Sequence, residues 1–238
     1  MNSNFSLASL VVWYVVFLFS TTFHEFSHAI VAYWGGDKTA HEGGQVSLDP
    51  MPHIRRSPFG LVLAPLVTFP LFGWMIGWAS APYDPRWAAA HPKRYALMSL
   101  AGPAANLVLA LVAFTAIKVL VGTGALEYAR PTLSNLVQAP GEEGYRSAMG
   151  ALAMGLSVML NLNIILCLFN LLPLPPLDGA SVLEGLWPRQ AGTFFARMRA
   201  TPAFGFLGVV IAWQVFPYVV GPALYLVYTA LYGRALFL

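Results

Sequence analysis

His24-Glu25-Phe26-Ser27-His28 sets two imidazoles one helical turn apart, with a carboxylate beside the first. Side chains four residues apart on a helix share a face, so both rings can reach one ion. A zinc hydrolase takes three protein ligands and keeps the fourth position for water. Glu25 stands where it can accept a proton from that zinc-bound water. The alternative is a chance match of five residues. It is disfavoured because the motif lies in the apolar run from Ser6 to Trp34, in which His24, Glu25 and His28 are the only groups that ionise near neutral pH. Ionisable groups within membrane segments are costly and mark functional sites.

A third ligand is required. Asp37, Glu42, Asp49, Asp84, Asp178 and Glu184 are the carboxylate candidates, with His41, His53 and His91. Asp37 follows Gly35-Gly36 and is expected to face water. Asp178 follows a run from Leu171 to Leu177 that is entirely apolar or proline. Prolines there release the backbone from helix geometry and let the chain turn inward. An Asp-Gly turn at a membrane surface explains Asp178 equally well, so spacing leaves the two readings open. His53, beside Arg55 and Arg56, reads as a surface residue. Asn170 suits either a hydrogen bond to a developing oxyanion or an interhelical contact. Asn106 reads as helix–helix glue.

These residues must be positioned by membrane-embedded elements. Of 238 residues, 58% are hydrophobic and 10% charged, against about 25% charged in soluble domains. The mean hydropathy is +0.64. A net charge of +3 is too small to imply a nucleic-acid partner. The single cysteine, Cys167, excludes an intrachain disulfide and a cysteine-based zinc site. No Lys or Arg precedes Lys38, so the first apolar run lacks the basic start of a cleavable signal and reads as a retained helix. Long apolar runs cover 6–34, 95–121 and 148–172. A last one, 204–238, is divided near Pro217 and Gly221-Pro222 into two short segments. Pro65 and Pro70 make 59–79 a poor straight span. Alternation over Gln45-Val46-Ser47-Leu48 suggests a short strand, and Trp13, Trp34, Trp74, Trp78 and Trp87 read as interfacial anchors. The expectation is an all-α polytopic membrane protein: about five transmembrane helices, a re-entrant segment and a small membrane-associated strand or hairpin. It forms one domain over 1–238, with a core of about 6–185 and accessory segments in 204–238.

Three stretches, in order, resemble the site-2 protease family of intramembrane zinc metalloproteases: His24-Glu25-Phe26-Ser27-His28, Ala101-Gly102-Pro103-Ala104-Ala105-Asn106, and Phe169-Asn170-Leu171-Leu172-Pro173-Leu174-Pro175-Pro176-Leu177-Asp178-Gly179. The chain is similar to the small members without a PDZ domain. The resemblance implies Zn2+ held by His24, His28 and Asp178, Glu25 as general base, and a membrane-protein substrate. It departs from the small members at Asp49-Pro50-Met51-Pro52-His53, where they carry Asn-Pro, and at Gly77-Trp78-Ala79-Ser80-Ala81-Pro82, where they carry Gly-Trp-Ala-Lys-Pro. A metal or ion transporter using the same His/Asp/Glu cluster is a second reading. It has no need of a glutamate beside the first histidine. An inactive chaperone of the same fold is a third, disfavoured because base and ligands are all present. The oligomeric state is not legible.

One zinc ion joins His24, His28 and Asp178 only if the 6–34 and 148–172 helices run in the same direction. A re-entrant 59–79 provides that. The same topology puts Lys38, Arg55, Arg56, Arg86, Lys93, Arg94, Arg189, Arg197 and Arg199 on one side. Arg130 and Arg146 fall on the other, with Glu127, Glu142 and Glu143. Basic loops mark the cytoplasmic side, so the N-terminus is expected outside the cell membrane and the zinc nearer the cytoplasmic face.

Overall fold

The computed structural model describes residues 6–141, 147–192, 194, 195, 198 and 202–233. Of the charges invoked for topology, Glu142, Glu143, Arg146, Arg197 and Arg199 lie outside the described residues. Helix α1 (Leu7–Trp34) opens with a capping box: the Ser6 hydroxyl accepts from Ser9 N–H while the Ser6 N–H donates to the Ser9 hydroxyl. This satisfies amide donors that a helix start leaves orphaned. It stops at Gly35-Gly36, where Gly36 takes φ 99°. Two short helices follow, α2 (Thr39–Glu42) and α3 (Pro50–Arg56), the second capped by the Asp49 side chain. After a segment containing α4 (Ala64–Phe72) comes α5 (Pro85–Ala90), and then α6 (Pro92–Gly122). A two-residue hairpin, β1 (Glu127–Tyr128) against β2 (Val137–Gln138), leads into α7 (Ala148–Asn170). The chain continues with α8 (Asp178–Leu186) and α9 (Pro202–Tyr232).

Among the described residues, four helices are long and apolar enough to cross a membrane: α1, α6, α7 and the Leu207–Tyr232 part of α9. Their outer faces expose Val11, Val15 and Phe19 on α1, Leu107 and Leu111 on α6, and Trp213 and Leu226 on α9. Hydrocarbon, not water, suits such a surface. The helix interfaces combine large apolar side chains such as Phe17, Ile117 and Leu160 with small or polar ones, including Ala29, Ala32, Ala105, Ala113, Ser20 and Ser157, all buried. Small residues let helix backbones approach closely where lipid removes the hydrophobic driving force.

Contacts set the directions. Trp13, near the start of α1, donates its indole N–H to Ser134 in the hairpin loop, and Asn161 of α7 donates to Thr132 and Leu133 carbonyls there. Ile117, late in α6, packs with Leu126 and Val137 of the hairpin. At the other end, His24 and His28 of α1 meet Met98 and Asn106 of α6 and the chain following α7. Helices α1 and α7 therefore run together and α6 runs against both, as expected.

Segment 59–79 doubles back. A π-helical turn, Phe59–Leu63, feeds α4, and Gly73 reverses the chain at φ 77°. Phe59–Phe72 is helical for ~21 Å at 1.5 Å per residue, short of the roughly 30 Å hydrocarbon core. On the return, Ile76 N–H donates to the Thr68 hydroxyl and Trp78 N–H donates to the Gly60 carbonyl at 3.2 Å, so entry and exit lie side by side. Gly60 and Gly77 permit this approach: a Cβ on either would strike the backbone of the other arm.

Several expectations are corrected. The last apolar stretch is one helix, not two, so the spans number four instead of about five among the described residues. Pro217 and Pro222 each remove one donor from α9 without stopping it, a loss membrane helices absorb through neighbouring groups. The strand expected at Gln45–Leu48 is a series of bends with Gln45 buried, and the hairpin lies instead at 127–138. Trp13 and Trp87 are buried, their indoles spent on Ser134 and the Gly35 carbonyl, whereas Trp34 and Trp78 are exposed. His53 is also buried, its Nε2 bonded to the Ser47 carbonyl.

Candidate metal centre

His24, Glu25 and His28 face inward from the C-terminal half of α1, and all three are buried. Asp178 arrives from the other side. Helix α7 ends at Asn170, and the proline-rich link, with a cis Pro175–Pro176 bond, turns the chain so that Asp178 opens α8. Gly179 lies so close to the Leu171 and Leu172 carbonyls that no larger residue fits. The result is a compact triangle. Asp178 Oδ2 lies 3.2 Å from His24 Nε2 and 3.3 Å from His28 Nε2, and the two Nε2 atoms are 3.0 Å apart.

The opposite ring nitrogens decide what this triangle is. His28 Nδ1 lies 2.7 Å from the Met98 carbonyl, which can only accept, so Nδ1 carries the proton and Nε2 a lone pair. His24 Nδ1 lies 2.6 Å from Asn106 Oδ1, with the same consequence. With both rings neutral and Asp178 ionised, three acceptors converge, which a cation resolves. Ligand atoms about 2.0–2.1 Å from a tetrahedral zinc stand about 3.3 Å apart, close to the separations found. The ligand set thus fits zinc, and His24, His28 and Asp178 form a group able to hold a metal ion.

Helix α6 forms the back wall. A Cβ at Gly102 would collide with the Nε2 atoms of both histidines, so glycine there is a condition of close approach. Glu25 is buried with its Oε2 unpaired. A buried carboxylate oxygen without a partner is costly and is the arrangement a proton acceptor needs before substrate arrives.

The structure brings together His24, His28 and Asp178 and sets Asn106 behind His24. Asn106 is glue as well, since its amide donates to Asn163 of α7 at 2.8 Å. Asn170 is half-buried and donates to the Leu166 carbonyl of its own helix. Asp37 is not a ligand: it accepts from Thr39 and from the Asp84 N–H. Asn163 and Ser20 are completely buried polar residues tied to Asn106. Sequence reasoning missed both. Asn163 was detectable only as one of three amides in the 148–172 run.

A family model described as peptidase family M50 matches residues 12–213. The chain is 35% identical over 201 residues to "Putative zinc metalloprotease YwhC" of Bacillus subtilis (strain 168), covering 84% of this chain and 78% of that one. It is 28% identical over 194 residues to a protein of Mycolicibacterium smegmatis named in the same way, Rip2, covering 82% of this chain and 63% of Rip2. For Rip2 of Mycobacterium tuberculosis (strain ATCC 25618 / H37Rv) the identity is 29% over 167 residues, with 70% of this chain and 54% of Rip2 covered. The chain therefore spans less than two thirds of the Rip2 proteins. No solved structure matches it.

Proposed function

The chain belongs to peptidase family M50, the site-2 protease family, and from that premise we propose that it is an intramembrane zinc endopeptidase cutting membrane-spanning substrates. The observation that carries the reading is the meeting of three ligand atoms, His24 Nε2, His28 Nε2 and Asp178 Oδ2, beside buried Glu25, whose Oε2 has no partner. A transporter would use the triangle but has no role for Glu25.

His24, His28 and Asp178 hold the ion. The chemistry zinc supplies there is polarisation of the scissile carbonyl and acidification of water. Glu25 takes a proton from the attacking water. As the water oxygen bonds to the carbonyl carbon and the C–N bond breaks, that proton passes to the leaving amine nitrogen. Burial of the site within the bundle limits competing water. An amide from Asn170 could serve the oxyanion once its intrahelical bond to Leu166 is released. A helical substrate must unwind before its peptide bond is accessible, and an extended segment can be held by main-chain pairing. Gly77–Pro82, which forms no helix and leaves Trp78 and Ser80 exposed, is the proposed docking strand; Gln45–Leu48, bent and with Gln45 buried, suits that role less. The basic loops at the zinc end support an orientation with that end cytoplasmic and the N-terminus outside.

The test is metal analysis of the purified chain with cleavage of a transmembrane peptide before and after chelation. About one zinc per chain and chelator-sensitive cleavage are expected. Zinc-independent cleavage, or zinc without any cleavage by the wild-type chain across a panel of membrane peptides, would remove the proposal.

A further inference from the structure

We propose that Asn163 is a positioning residue for the metal centre: acting through Asn106, it determines which nitrogen of His24 carries the proton. The proposal rests on the reading of His24 as a metal ligand. A line of buried amides joins the backbone of α7 to the ring. Asn163 Nδ2 donates to the Met159 carbonyl at 2.8 Å and to the Ser20 hydroxyl at 2.9 Å. Asn163 Oδ1 accepts from Asn106 Nδ2 at 2.8 Å, and Asn106 Oδ1 faces His24 Nδ1 at 2.6 Å. Asn106, Asn163 and Ser20 are all fully buried, so water cannot substitute for any of them.

The direction of the line follows from its far end. A serine hydroxyl can donate or accept, but a backbone carbonyl only accepts. Turning the Asn163 amide over would set its oxygen against the Met159 carbonyl, two buried acceptors in contact. Asn163 therefore keeps its NH2 towards Met159 and its oxygen towards Asn106. Asn106 must answer with its own NH2, which leaves its oxygen for His24. His24 Nδ1 is then the protonated nitrogen and Nε2 presents a lone pair to the ion. Without Asn163 the Asn106 amide is free to turn. Its NH2 would then meet His24 Nδ1, move the proton to Nε2, and let Nε2 donate to Asp178. That closes the triangle in a metal-free form and makes the ion compete with a hydrogen bond. Partners that orient metal-binding histidines typically contribute about 10–100-fold in metal affinity.

The test is zinc affinity, measured by chelator competition on the full chain purified in detergent, for four proteins: wild type, Asn163→Leu, Asn106→Asp, and the double variant. Asn163→Leu should weaken zinc about tenfold, the low end of that range because it acts one residue removed. Aspartate at 106 offers oxygen to His24 whichever way it turns, so Asn163→Leu should have little further effect in that background. A purely packing role predicts equal losses from Asn163→Leu in both backgrounds, and that result would overturn the proposal. So would wild-type affinity in Asn163→Leu. A wild-type chain that binds no zinc at all would instead overturn the metal-centre reading beneath it.

Discussion

Gly102→Ala adds one methyl group to the face of α6 that backs the two imidazoles. Its Cβ would stand 2.5 Å from His24 Nε2 and 2.6 Å from His28 Cε1, and nearer still to His28 Nε2. Unbonded carbon contacts settle at about 3.5 Å, so the rings must retreat by roughly 1 Å. Metal–ligand distances hold within about 0.2 Å. Neither ring has slack, because each Nδ1 is tied, one to Asn106 and the other to the Met98 carbonyl. Overpacking on this scale costs about 1–3 kcal/mol. At about 1.4 kcal/mol per tenfold, zinc affinity should fall roughly 5- to 150-fold. In the zinc-free chain the rings can swing aside only by giving up those Nδ1 bonds, a cost that offsets the about 0.5–1 kcal/mol gained when alanine replaces a mid-helix glycine. Thermal unfolding with and without zinc should show little change in Tm for the zinc-free variant and a reduced upward shift on adding zinc. Wild-type zinc affinity in Gly102→Ala would refute the placement of α6 against the ligand nitrogens.

Glu25→Gln should keep its zinc and lose about 10²–10⁴-fold in turnover, the usual contribution of a general base; rapid cleavage by this variant would eliminate the proton-transfer role. Asp178→Asn should weaken zinc, since a neutral amide oxygen replaces the one anionic ligand of the triangle, and unchanged metal content on dialysis would argue for a different third ligand. Single cysteines at Glu42 and Ala89 in a Cys167→Ser background, both exposed, should react with a membrane-impermeant thiol reagent from the same side, and one at Thr132 from the other. Labelling of 42 and 89 from opposite sides would mean that 59–79 crosses the bilayer. Gly60→Ala should destabilise the chain, because its Cβ meets the Trp78 carbonyl; a Tm equal to wild type would show that the two arms of that segment are not held together.

The chemistry of the centre was legible from residue types alone. Two histidines at helical spacing with a glutamate between them, in a run with no other charge, point to a candidate metal site before any fold is known, because lipid tolerates such groups only for a reason. The long helices were equally legible, since about 20 apolar residues have one economical conformation in a bilayer. Interior prolines were misleading in one place and informative in another. Helix α9 continues through Pro217 and Pro222, whereas 59–79 turns back at Gly73 after a helix too short to cross. Local sequence does not distinguish these outcomes; the neighbours against which each segment packs do. Spacing likewise left Asp178 balanced between ligand and surface turn, because 150 residues separate it from His28 and only the parallel run of α1 and α7 closes that gap. Asn106 looked like glue and also meets the His24 ring, through a contact between residues 82 positions apart. Asn163, Ser20 and the Met159 carbonyl carry no motif. Their significance arises solely from which hydrogen-bonding groups meet in a water-free interior, where each donor must find an acceptor and the last one in the line sets the proton on a ring two helices away.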